Sequence, residues 1–272
     1  MCKVLEVTRS VYHSYLKRKY SQRKLVNAAL SELIINIWND NHKLYGYRRI
    51  HAELRSQKIY CNRKRVAFLM KKNHISAQIT KKFKRTTNSE HGNYISPNKL
   101  NQNFEVDSPN NVWVSDITYI STFEGWLYLA VVIDLYSRKV VGWSMSRRIT
   151  SQLVTDSLNN AIIDRKPAAG LIFHSDRGSQ YASGQFRKLL GNNNLIQSMS
   201  GKGNCYDNAV AESFFHTLKM ELVYRSSYKN RCEAKSSVFA FIEIFYNRRR
   251  RHSFLNYFSP FDFEFLYFNF MP

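Results

Sequence analysis

Three carboxylates stand out among the 20 acidic residues of this 272-residue sequence: Asp116, Asp176 and Glu212. Asp116 lies inside Val112-Trp-Val-Ser-Asp-Ile-Thr-Tyr-Ile120, a run of β-branched and aromatic residues. Side chains alternate across a strand, so Asp116 shares a face with Val112, Val114, Thr118 and Ile120. A carboxylate among apolar neighbours is costly unless it is paired or binds a cation; a structural salt bridge or a place at the sheet edge accounts for it equally well. Asp176 follows the apolar run Leu171 to His174 and precedes Arg177-Gly178. That is the carboxyl end of a predicted strand, where α/β domains place their chemistry, although Asp before Gly is also an ordinary turn. Glu212 falls near the start of a predicted helix on which Asn208, Glu212, His216 and Lys219 share one side. A solvated face with a Glu near a helix N-terminus is the plainer account. Oxygen-only donors suit magnesium, and two such ions could activate the attacking oxygen and stabilise the leaving oxygen of a phosphodiester. Fifty-nine residues separate Asp116 from Asp176, and 35 separate Asp176 from Glu212. With 20 acidic residues, some triplet of this spacing arises easily by chance. Asp134 is the rival on the second strand, ranked lower because Asp134-Leu-Tyr-Ser-Arg138 also suits a strand-end turn or a salt bridge.

The elements that would position these groups can be read from periodicity. Val112–Ile120, Trp126–Tyr136 and Val140–Ser146 read as strands joined by short polar connections. A helix over 151–164, a short strand at Leu171–His174, a helix over 184–190, a fifth strand at Leu195–Met199 and a helix from Asp207 or Asn208 to about Leu222 follow. Three strands, helix, strand, helix, strand, helix is the order of a ribonuclease-H-like α/β domain. Before it, residues 1–20 read as a short helical piece with a turn at Glu6–Ser10. Residues 21–40 read as a helix with Val26, Leu30, Leu33, Ile34 and Ile37 at helical spacing. Tyr47–Arg55 and 63–72 complete the set, the last capped by Asn62 with Val66, Leu69 and Met70 inward. A helix, a short turn and a basic helix outline a helix-turn-helix unit; a small bundle with a solvated basic face has the same pattern. The expected division is a basic helical domain over 1–78, a linker over 79–111, the catalytic core over 112–228 and a helical extension over 229–272.

Charge separates these regions. The sequence carries 41 Lys and Arg against 20 Asp and Glu, a net of +21. Residues 1–100 hold 22 basic and 5 acidic side chains, residues 101–222 hold 11 of each, and residues 223–272 hold 8 and 4. A positive charge concentrated in one third of the chain points to a polyanion, most simply nucleic acid. No run approaches a membrane span, no secretion signal opens the chain, and no polybasic amphipathic helix with bulky apolar anchors suggests a membrane surface; a cytoplasmic, nucleoid-associated protein is the expectation. Cys2, Cys61, Cys205 and Cys232 lie far apart without a Cys-x-x-Cys pair, which argues against a zinc or disulfide framework. Arg63, Lys64, Arg65, Lys71 and Lys72 are the candidate DNA contacts of the basic helix. The run Arg248–Arg251 exceeds what capping a helix C-terminus needs, so Arg250, with neighbouring His252, is read as a phosphate contact.

Taken together, Trp113-Val-Ser-Asp-Ile-Thr-Tyr119, Val132-Ile-Asp-Leu-Tyr-Ser-Arg138, His174-Ser-Asp-Arg-Gly-Ser-Gln-Tyr181, Gly203-Asn-Cys-Tyr-Asp-Asn-Ala209, Ala211-Glu-Ser-Phe-Phe-His-Thr-Leu-Lys219 and Tyr246-Asn-Arg-Arg-Arg-Arg-His252 resemble the second-frame product (OrfB) of bacterial insertion-sequence transposases of the insertion-sequence-three type. Tyr45-Gly-Tyr-Arg-Arg-Ile50 is similar to the helical module that precedes their catalytic domain. One departure is Leu255-Asn-Tyr257, where Leu-Gly-Tyr is expected; Asn tolerates a left-handed backbone better than most residues.

The resemblance implies the catalytic fold of retroviral integrases, with Asp116, Asp176 and Glu212 as catalytic and metal-binding residues and Lys219 on DNA. It implies two divalent cations, Mg2+ or Mn2+, and metal-dependent cleavage at insertion-sequence ends followed by strand transfer into target DNA. It also implies a homo-oligomer on DNA, and an upstream-frame helix-turn-helix product, joined by frameshift or acting as a partner, that recognises the ends. A ribonuclease-H-like nuclease without strand transfer, or a catalytically inactive DNA-binding regulator, are the alternatives.

Overall fold

The computed structural model describes residues 2, 4, 6–17, 20–78, 94–201 and 205–270. The chain divides into two compact units, Met1–Gln78 and Ile79–Pro272.

In the first unit, α1 (Arg9–Leu16) is followed by α2 (Gln22–Asp40), α3 (Tyr47–Ser56) and α4 (Arg63–Lys72). Leu30, Ile34 and Ile37 of α2 meet Ile50 and Leu54 of α3 and Val66, Leu69 and Met70 of α4 in a small core. Val26 and Leu33, also at helical spacing, are exposed: α3 and α4, of 10 residues each, pack on only part of the 19-residue α2. Asn62 caps α4 as expected, its Oδ1 accepting the Lys64 N–H at 2.8 Å.

The second unit is built on a five-stranded mixed sheet: β1 (Val112–Thr122), β2 (Gly125–Asp134), β3 (Val140–Ser146), β4 (Ile172–Ser175) and β5 (Ile196–Met199), in the order β3-β2-β1-β4-β5. The first three strands form an antiparallel meander, while β4 and β5 run parallel to β1. One face packs on α5 (Ser151–Arg165) and α6 (Gly184–Asn192) through Trp113, Val132, Phe173, Leu153, Leu158 and Phe186. Gly142 of β3 is required by that packing: a Cβ there would lie 2.4 Å from the Ser157 carbonyl oxygen and 2.6 Å from the Ala161 methyl. A 3-10 turn, Cys205–Asn208, leads into α7 (Ala209–Glu221), which packs against β1. After a second 3-10 turn, Val223–Arg225, α8 (Arg231–Phe239) widens into i→i+5 bonding over Ala240–Tyr246, and α9 (Pro260–Phe270) follows. Asn247 then bonds both backbone groups of Val140 at 3.0 Å, fastening this extension to β3. Glu264 of α9 is buried against Arg165, Lys139 and Ser137, with contacts of 2.7 to 3.1 Å. Asn256 does adopt a left-handed backbone, φ +50°, and Tyr257 follows at +65°.

The stretch read as a linker departs from that reading over its second half. Residues 79–93 lie outside the described residues. Beyond them, Ser96 Oγ donates to Gln197 Oε1 at 2.9 Å and the Lys99 N–H to Ser198 Oγ at 2.8 Å. The side-chain amides of Asn98 and Gln102 donate to Asp207 at 2.9 and 3.0 Å. The polar composition that suggested a loose connection serves these bonds to β5 and to the turn before α7.

His174 of β4 is fully buried between Ser198 Oγ at 2.9 Å and Ser200 Oγ at 3.3 Å, and burial pushes its pKa down to about 4. A histidine held neutral this way supports the fold above its ordinary value near 6.5 and ceases to as pH falls from there towards about 4, because the unfolded chain takes up the proton first. Urea titrations at pH 7, 5.5 and 4.5 should therefore show the wild type losing up to roughly 3 kcal/mol more than His174→Gln. Equal losses in both proteins would remove His174 from the acid response.

Candidate active site

The pairing of β1 with β4 fixes the two aspartates. Ser115 pairs with Ser175, the last residue of β4. Asp116 and Asp176 are the next residues on the two parallel strands, so they occupy neighbouring positions where β4 stops and β1 runs on to Thr122. Both are half-buried. Asp116 Oδ1 accepts the N–H of Ile117 at 2.7 Å, and Asp176 Oδ1 accepts the N–H of Gly178 at 2.9 Å. Glu212 stands exposed in the first turn of α7. This helix is anchored at its start by Asn208, whose Nδ2 donates to the Ser115 carbonyl at 3.1 Å.

Electrostatics ties these groups together. Burial, then the charge of Asp176 and, less strongly, that of Glu212, push the Asp116 carboxyl well above the usual carboxylate range. The Ile117 N–H and Lys219 pull it down without prevailing. Lys219 lies two turns beyond Glu212 on α7, its Nζ 4.7 Å from the centre of the Tyr119 ring. Mutually repelling carboxylates with oxygen-only donors are a set that a hard divalent cation fits. The set is open: among the described residues, no three His, Cys, Asp or Glu side chains stand close enough to cage one ion.

Two residues support this site in ways that escaped the sequence reading. Tyr181 is fully buried and shares a 2.8 Å hydrogen bond with Ser115 Oγ; burial and then the charges of Asp116 and Asp176 raise its pKa well above the phenol range. Asp207 is buried and accepts from Asn98, Gln102 and the Gly201 N–H, and so holds the turn before α7. Both lie inside the quoted motifs, which was the available signal. Asp134, the rival, has a structural place. Its Oδ1 takes the N–H groups of Tyr136 and Ser137 and the Ser137 hydroxyl, while Oδ2 takes the Asn110 N–H at 2.7 Å.

The basic candidates divide. Arg63, Lys64, Lys71 and Lys72 of α4 are exposed, and Arg65 is half-buried with its Nε on Asn27 Oδ1 at 2.8 Å. Arg250 is not at the surface. It is 6% exposed and pairs in bidentate fashion with Glu221 at 2.7 Å, while His252 packs edge-on to Tyr246 and lies 3.4 Å from the Arg250 guanidinium. Within this arginine run, the third residue ties the end of α7 to the extension.

Asp116 carries a stability signature. Its raised pKa means the folded chain holds the proton more tightly than the unfolded one, so its contribution is full below the ordinary carboxylate range and is lost as pH rises through the raised value. Asp116→Asn should accordingly melt higher than wild type at neutral pH in EDTA. Added magnesium should raise the wild-type Tm and leave the variant's unchanged. A variant that melts lower in EDTA would contradict the repulsive arrangement.

Residues 106–205 and 194–260 match the family described as Integrase core domain, and residues 25–83 match an HTH-like domain. The chain is 44% identical to the "Insertion element IS600 uncharacterized 31 kDa protein" of Shigella sonnei, over 96% of each chain. It is 42% identical to "Transposase InsF for insertion sequence IS3A" of Escherichia coli (strain K12), over 97% of this chain and 92% of that one. Among solved structures, one chain of the simian T-cell lymphotropic virus intasome in complex with PP2A regulatory subunit B56 gamma aligns at a TM-score of 0.49 and 15% identity, covering 85% of this chain and 74% of that one. The HTLV-2 integrase catalytic core domain in complex with magnesium (trimeric form) aligns at 0.45 and 15%, covering 58% and 97%. With that identity to insertion-sequence transposases along nearly its whole length, an integrase core behind an HTH-like domain, and a mixed sheet bringing two aspartates side by side, the chain belongs to the IS3-family transposases.

Proposed function

We propose that this chain cuts and joins DNA at insertion-sequence ends, with Asp116, Asp176 and Glu212 as its catalytic carboxylates. The observation that carries the reading is the Ser115–Ser175 pairing, which puts Asp116 beside Asp176 at a strand end with a carboxyl that resists ionisation there. Asp116 and Asp176 would hold divalent cations, two by analogy with phosphodiester chemistry, and Glu212 on α7 would complete the set. Bound there, such ions neutralise charge developing on the phosphodiester and make the attacking hydroxyl a better nucleophile. The protein's own contribution is position: paired strands fix the two aspartates, and α7 carries Glu212 and Lys219 on one side. In the first step water attacks the phosphorus at the element's end, the P–O3′ bond breaks, and a 3′-hydroxyl is released. In the second that hydroxyl attacks a target phosphodiester, a new P–O bond forms, and a target 3′-hydroxyl leaves. Lys219 and the exposed cations of α4 hold phosphates, contacts that position DNA without reading it. The proposal includes an oligomer assembled on DNA in the cytoplasm, and end recognition supplied by an upstream-frame helix-turn-helix product.

In a strand-transfer assay with magnesium, Asp116→Asn and Asp176→Asn should each fall to the protein-free background while still binding DNA. The double variant should be no worse than either single one, because the groups act as a unit. Asp134→Asn should lower Tm and retain joining per folded molecule. Cleavage without joined products by the wild type would favour a simple nuclease.

Binding isotherms against salt separate the two kinds of basic residue. Lys64→Ala and Lys71→Ala should each flatten the log–log slope by about 0.9, one phosphate contact apiece. Arg250→Ala should leave the slope alone and destabilise the fold by about 3–5 kcal/mol, since it removes one partner of a buried, bidentate ion pair. A slope change in Arg250→Ala without loss of stability would return it to the DNA surface.

A further inference from the structure

Beyond the carboxylates, β1 and α7 advance side by side to a second concavity. Lys219 lies seven positions beyond Glu212 on α7, a rise on the order of 10 Å, and Tyr119 three positions beyond Asp116 on β1, a similar length. There, Tyr119, Phe123, Trp126, Lys219, Tyr224 and Tyr228 line a cavity of about 300 Å3. The β1–β2 hairpin forms one wall and the segment after α7 the other, joined by the Phe123 N–H donating to the Tyr228 carbonyl at 3.0 Å. Tyr119 and Trp126 meet edge to face at 4.9 Å, and Lys219 stands over the Tyr119 ring. Phe123 is 81% exposed, Trp126 49% and Tyr224 45%.

Large rings left open to solvent beside a lysine have a specific use in a protein of net charge +21. Aromatic faces stack on bases of any sequence, and a neighbouring cation takes the phosphate attached to them. The cavity suits one flat ring system. Lys219 belongs to both places: it acts on Asp116 electrostatically and forms part of this wall. Ten ångströms correspond to about three base-pair rises of duplex, so an occupant of the cavity lies within a few nucleotides of the phosphate undergoing reaction.

We propose that this pocket receives one unpaired base of the DNA strand next to the scissile phosphate, stacked on Trp126 and Phe123 with Lys219 on its phosphate. Taking a base out of the duplex costs least where pairing is already broken, so the site selects DNA frayed or distorted at the cleavage point. The assignment rests on the strand-transfer reading above.

The test uses the full chain carrying Asp116→Asn, so that DNA is bound and not cut. Duplexes carry a single 5-iododeoxyuridine at each position within four nucleotides of the cleavage point, either paired or opposite a mismatch. After irradiation, cross-linked peptides are identified by mass spectrometry. One position should cross-link to Trp126, Phe123 or Tyr224, more strongly when mismatched. Trp126→Ala should lose that cross-link and weaken binding to the mismatched duplex by about 5- to 150-fold, with the salt slope unchanged; Phe123→Ser, at the exposed hairpin tip, should act in the same direction should Trp126→Ala fold poorly. Cross-links that form only elsewhere would overturn the pocket while leaving the strand-transfer reading standing. A chain that binds no DNA at all would sink both. Normal DNA binding with lost self-association in Trp126→Ala would assign the pocket to a second copy of the chain and overturn the base.

Discussion

The repulsion between Asp116 and Asp176 governs how this protein is built. Each carboxylate alone could turn towards water, but pairing through Ser115 and Ser175 leaves them neighbours on adjacent parallel strands. The strands cannot spread, because Trp113 and Phe173 lock them from one face into the core under α5 and α6. Nor can α7 withdraw freely with Glu212, since Asn208 fastens its start to the backbone of Ser115. A proton, which Asp116 accepts unusually readily, or a cation relieves the group. A frame that prevents like charges from separating has prepared the field before any substrate arrives, and such preparation is the main means by which rigid sites stabilise developing charge.

Much of this was legible in the residues. The strands of the meander, the helices flanking them and the fifth strand follow from periodicity that a two-faced sheet imposes. Asp116 was conspicuous because a carboxylate in an apolar strand demands a partner. What could not be read were bonds between groups far apart in the chain. Arg250 resembled its neighbours until Glu221, 29 residues earlier, proved to lie against it. The stretch 94–103 had the composition of a loose tether because Ser96, Asn98 and Gln102 use polar side chains to reach Gln197 and Asp207. Tyr181 looked like one more aromatic; only the fold sets its hydroxyl on Ser115.

The distribution of charge reflects two uses of the same residues. In the first unit the cations of α4 face outward with few acids near them in sequence. In the second, acids and bases nearly balance over 101–222, and several are spent internally. Arg165 and Lys139 close on Glu264, and Arg250 on Glu221. Counting charge therefore points to the first unit for a polyanion, and in the arginine run it overlooks that one guanidinium is a fastening.

The anchoring of Glu264 bears on when the enzyme becomes competent during its synthesis. Arg165 leaves the ribosome 99 residues before the carboxylate that neutralises it, and Lys139 precedes it by 125. Until α9 emerges, the end of α5 and the turn after β2 lack the carboxylate that Arg165 and Lys139 pair with once buried, and breaking such a pair costs several kcal/mol. The sheet that bears Asp116 and Asp176 thus waits for a brace made far downstream of it in the chain, and is complete only once α9 has joined it.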